Sequence, residues 1–119
     1  MRTALGTVVA AILCAGLYSA WSQTDDAAEE VQKGHRLAVA VCAICHVAAD
    51  DQETHPLLQP PAPPFKEIAQ RKDLDGATLE KFLTTTHRDL VTQKGMPNLN
   101  LADFQAKQVA AYLLSLRGH

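Results

Sequence analysis

Residues 42–46 read Cys-Ala-Ile-Cys-His, and no other stretch of the chain restricts its fold so tightly. Thiols at i and i+3 lie on one face of a helical turn. Cys42 and Cys45 can therefore both bond one flat partner, and His46, the next residue, falls beneath the centre of that partner. C-x-x-C-H is the attachment signature of a c-type haem. The expectation is two thioethers to the porphyrin vinyl groups, with the imidazole on the iron. A chain built this way wraps its core around a large apolar plate.

With 119 residues the chain suffices for one domain. Apolar residues make up 47% but aromatics only 5%, and alanine is abundant, which suits a compact all-helical domain. So small a domain buries little surface by itself, so a bound haem is a substantial share of its interior. The formal net charge of −2 leaves no basic stripe for nucleic acid. The carboxylates form no acid–base pair, and no Ser–His–Asp arrangement is visible.

Residues 1–22 have the plan of a secretory signal peptide. Arg2 supplies the positive start, Leu5 to Tyr18 form an uncharged apolar run, and Ala20 and Ser22 put small residues at −3 and −1 for cleavage after Ser22. The run falls short of the roughly 20 residues a spanning helix needs. Leu13 before Cys14 does not suit a lipoprotein site. Cleavage leaves residues 23–119 as the mature domain, with no stable membrane insertion and a location in the periplasm. Cys14 is then lost, so Cys42 and Cys45 remain without a disulfide framework around them. Losing Arg2 also makes the mature chain one unit more acidic.

Along the mature chain the periodicity is helical throughout, with no alternating strand and no repeat. Ala27, Val31, Leu37, Ala38, Val41 and Cys45 predict a first helix over about 26–45, interrupted by Gly34. Val47 to Pro64 is a loop, because the run from Gln59 through Pro64 holds four prolines. Pro64 suits the start of a short helix from Phe65 to Arg71. A turn at Asp73 to Gly76 precedes a third helix over about 77–86. A second loop runs to Asn100, read as the cap of a last helix with Asp103 in its first turn. Leu101, Val109, Tyr112, Leu113 and Leu116 give that helix its apolar face.

Met96 is the candidate for the second axial position. It stands in a loop, Gly95-Met96-Pro97, and Met1 is the chain's other methionine. A thioether is a soft, neutral ligand that favours reduced iron and raises the potential. Pro97 biases Met96 to an extended backbone. The remaining histidines read differently: His35 as a solvated position on the first helix, His55 as exposed beside Pro56, His87 as a neighbour of the Met loop, and His119 as terminal.

These residues resemble a class I, monohaem bacterial cytochrome c over nearly all of 31–117. Gly34-His35-Arg36-Leu37 followed by Cys42 to His46 is similar to the family's first helix and haem site. Ala62-Pro63-Pro64-Phe65 resembles its proline loop, Met96-Pro97-Asn98 its distal-ligand loop, and Val109 to Leu113 its terminal helix. The resemblance implies a small all-α fold with N- and C-terminal helices crossing at Gly34 and Tyr112, and two shorter helices and loops around one haem c. It implies that a loop proline carbonyl accepts the proximal His N–H. Pro63 is the first choice, with Pro60, Pro61 and Pro64 as rivals, because the loop after His46 is longer than in the shortest members.

The implied function is single-electron transfer by a carrier that is not itself an enzyme. Its implied partners are redox proteins: a periplasmic dehydrogenase, a bc-type complex or a terminal oxidase. The alternatives are a small haem subunit of a periplasmic dehydrogenase complex, or a haem protein with catalysis or sensing at a labile sixth site. A zinc or dithiol module at Cys42 and Cys45 lacks a second ligand pair. Lys94, beside the distal loop, is a candidate docking charge or simply a solvated lysine.

Overall fold

The computed structural model describes residues 25–85 and 95–118. The predicted signal peptide, His87, Lys94 and His119 lie outside the described residues. The chain is helical from 25 to 41 (α1), then tightens into a 3-10 turn at Cys42–Ile44. Three α-helices follow: α2 (Phe65–Ala69), α3 (Gly76–Thr84) and α4 (Asp103–Ser115). Among the described residues there is no strand, only an isolated parallel bridge between His46 and Ala62. No described helix is long and apolar enough to cross a membrane.

Alanine makes the crossing of α1 and α4 possible. Ala38, Ala106 and Val109 are fully buried and Ala110 almost so. The two backbones meet at Gly34, where an added Cβ would lie 1.9 Å from the Gln108 carbonyl oxygen and 2.8 Å from Tyr112 Cβ. Real Cβ atoms never come that close, so the first helix admits glycine alone here. The interruption in its apolar pattern is the contact point. Across the same seam Gln108 Nε2 faces Glu30 Oε1 at 3.5 Å.

α2 and α3 pack on α4, with Phe65, Ala69, Leu79 and Leu83 buried. Asp75 caps α3 by accepting from the Thr78 N–H at 2.7 Å, and this bond holds its carboxyl below the usual carboxylate range. α2 stops earlier than periodicity predicts. The Arg117 guanidinium reaches back to the carbonyls of Ala69 (2.9 Å), Arg71 (3.3 Å) and Leu74. It satisfies the end of α2 and ties the last turn of the domain to it.

Two local expectations are corrected. α4 is not capped by Asn100. Its N-cap position is Ala102, whose N–H donates to Gln105 Oε1 at 3.0 Å. Asn100 instead takes φ +52°, a left-handed turn that asparagine tolerates, and donates its N–H to Asn98 Oδ1 at 2.8 Å. His35 is not merely solvated. Its Nε2 pairs with Asp51 Oδ1 at 2.8 Å, and its ring meets Tyr112 edge-on at 5.1 Å. Periodicity along α1 carries no information about a partner sixteen residues away.

Candidate functional site

The end of α1 sets the site. A 3-10 helix has three residues per turn, so side chains at i and i+3 eclipse more closely than on an α-helix. The tightened turn starts at Cys42 and has Cys45 as its C-cap. The N–H groups of Cys45 (3.1 Å) and His46 (2.9 Å) both donate to the Cys42 carbonyl. This one turn therefore fixes both thiols and the imidazole. Neither sulfur is in a disulfide, and Cys42 is buried while Cys45 is half-buried. Before any bond to haem forms, burial, reinforced by Cys45, pushes the Cys42 thiol up to about 11.

His46 is held through its ring. Nδ1 lies 2.7 Å from the Pro63 carbonyl oxygen. A carbonyl only accepts, so Nδ1 carries a proton, and in the neutral ring the lone pair is then on Nε2. Among the four prolines of the loop it is Pro63 that takes this bond. The buried ring of Phe65 stands edge-on to the imidazole at 5.4 Å, and Phe65 packs in turn on Tyr112 at 6.4 Å. The loop is laced back to the thiol turn by Leu57 N–H to Ile44 O (2.8 Å), Ala62 N–H to Cys45 O (2.9 Å) and Phe65 N–H to Val47 O (2.9 Å).

One contributor was invisible to sequence reasoning. The Gln52 carboxamide oxygen accepts from the N–H groups of Ala48 (2.6 Å) and Ala49 (3.2 Å), while its nitrogen donates to the carbonyls of Thr54 (2.7 Å) and His46 (3.4 Å). From the other side the Tyr112 hydroxyl donates to the Ala48 carbonyl at 3.0 Å. Burial and the carboxylates of Asp51 and Asp50 hold that phenol above its ordinary range, so it stays a donor.

Met96 is half-buried and packs against the core. Gly95 before it takes φ +95°, a conformation L side chains rarely adopt, so glycine is required for the chain to turn into the Met loop. The donor set suits a covalently held haem: two unpaired thiols on one turn, an imidazole with one nitrogen committed to a carbonyl and the other open, and a partly buried thioether. Among the described residues no group of three or more His, Cys, Asp or Glu is placed to hold a metal ion in the manner of a zinc site.

The cytochrome c family profile matches residues 31–117, most of the chain. The chain belongs to the cytochrome c family. It is similar to Cytochrome c-552 of Bradyrhizobium diazoefficiens, with 32% identity over 105 residues, covering 88% of this chain and 92% of that protein. No solved structure matches it significantly. The family assignment makes this a monohaem class I cytochrome, an all-α electron-carrying protein with one covalent c-type haem. The helix crossing at Gly34 and Tyr112 and the loop from His46 to Pro63 are thus the frame of a cytochrome.

Proposed function

We propose that this cytochrome is an exported, periplasmic single-electron shuttle whose haem is bonded through Cys42 and Cys45 and whose iron is ligated by His46 and Met96. The observation that carries the reading is the 2.7 Å bond from His46 Nδ1 to the Pro63 carbonyl. A bond of this kind orients the ring and leaves Nε2 of the neutral imidazole available to a metal, which supports His46 as a ligand. When bound, the haem supplies the redox centre, and the chain supplies ligation, a pocket of low dielectric and a docking face. His46 and Met96 together would supply both protein ligands of the iron and leave no position for a substrate, which favours transfer over catalysis. Export of residues 23–119 after removal of 1–22 is supported by the apolar run and small residues of the leader. Partners of this shuttle are redox proteins that bind weakly through small interfaces.

The ferric absorption spectrum tests the ligand pair. A far-red band from thioether–iron ligation is expected, and Met96→Ala removes it, lowers the reduction potential and leaves haem attached. An unchanged band and potential in that variant would take Met96 off the iron.

A further inference from the structure

The backbone just after His46 has no regular structure to satisfy it, yet it is buried: Ala48 is 1% and Ala49 7% exposed. Buried N–H groups need partners, and those of Ala48 and Ala49 find theirs in the Gln52 side-chain oxygen at 2.6 and 3.2 Å. The same carboxamide turns its nitrogen to the His46 carbonyl at 3.4 Å and to Thr54 at 2.7 Å. Two N–H groups call for an acceptor and two carbonyls for a donor, so the amide orientation is settled by its partners. Of the protonation-independent side chains, only a carboxamide both accepts and donates in this way from one terminus.

We propose that Gln52 is a positioning residue for His46, clamping the main chain of the iron ligand while Pro63 and Phe65 orient its ring. The proposal rests on the reading of His46 as proximal ligand. The Gln52 clamp and the Tyr112 hydroxyl on Ala48 hold the first peptides after His46 from opposite sides. Rotation of that backbone would swing the imidazole away from the Pro63 carbonyl. The long loop does not therefore loosen the ligand, because Gln52 closes it locally at its start, six residues after His46.

Two substitutions divide the clamp. Gln52→Ala removes all four bonds. Gln52→Glu is nearly isosteric and keeps an acceptor for Ala48 and Ala49 but sets a carboxylate against the His46 and Thr54 carbonyls. Lys66→Ala serves as the control, since it breaks an exposed ion pair to Asp50 (2.6 Å) in the same loop without touching the clamp. The readout is the pattern of hyperfine-shifted haem methyl resonances in the ferric holoprotein, which follows the plane of the axial imidazole, recorded beside the melting temperature. Both Gln52 variants are expected to redistribute the methyl shifts, Gln52→Ala more than Gln52→Glu, with Lys66→Ala matching wild type. If Gln52→Ala fails to retain haem, Gln52→Glu decides. Lowered melting temperatures with wild-type methyl patterns would make Gln52 a structural brace only and overturn the proposal. A wild-type spectrum without axial imidazole would instead overturn the ligand reading beneath it.

Discussion

Where α1 crosses α4, the contact is made by residues chosen for what they lack, whereas the loop from 47 to 64 keeps its shape through bonds that point in particular directions. Gly34, Ala38, Ala106 and Ala110 let two backbones touch, and dispersion and exclusion of water do the rest. The loop buries little beyond Ala48 and Ala49. It is fixed by the carboxamide of Gln52, the Pro63 carbonyl and backbone bonds to the thiol turn. The crossing tolerates no added atom, while the loop tolerates added atoms but no lost partner. A haem protein needs both behaviours, one to hold its two ends together and one to aim a ligand.

The largest effect is expected from breaking the crossing. Gly34→Ala puts a methyl group 1.9 Å from the Gln108 carbonyl oxygen, and neither backbone can give way without separating the helices. Overpacking of this kind costs about 3 kcal/mol or more. The expected fall in melting temperature by circular dichroism is over ~10 °C. A variant that melts like wild type would mean the helices do not meet there.

Tyr112 belongs to both regions, so Tyr112→Phe sharpens the contrast. It leaves the ring in the seam and removes only the 3.0 Å bond to the Ala48 carbonyl. Leaving a buried carbonyl without its donor costs about 1.5 kcal/mol, a fall of roughly 5–10 °C. Were the crossing self-sufficient and the loop indifferent to it, the melting temperature would not move.

The smallest effect is expected at the exposed pair of His35 and Asp51. The His35 hydrogen bond holds the Asp51 carboxyl below its ordinary range. A folded value below the unfolded one near 3.9 means the stabilisation is present above that value and lost as pH falls through the folded one. The difference in melting temperature between wild type and Asp51→Asn should thus be small at about pH 5 and shrink further as the pH falls below the ordinary carboxylate range. A difference that grows on acidification would reverse the assigned sign.

The same contrast explains what could be read from the residues in order. Helical periodicity marks Val109, Tyr112 and Leu113, and a glycine interrupting the first helix is a visible anomaly, but that these two helices cross there is legible only through the family resemblance. The thiol turn is legible because its spacing is chemical. Gln52 was not, since a glutamine in a polar loop looks like any other until the loop has a shape. Arg117, two residues past the end of α4, carries no local sign that its guanidinium reaches carbonyls some 43–48 positions earlier. Asn100 looked like a cap because capping and left-handed turns favour the same side chain. Hydrogen bonds to loop carbonyls depend on where the chain goes, and no local pattern encodes that.

The most direct measurement of the central reading is the intact mass of the protein exported from a host that attaches haem. The expected result is a chain beginning at residue 23 and carrying the mass of one haem that denaturation does not remove, with attachment impaired by Cys42→Ala or Cys45→Ala. A mature chain without the adduct, or full haem yield in either cysteine variant, would contradict it.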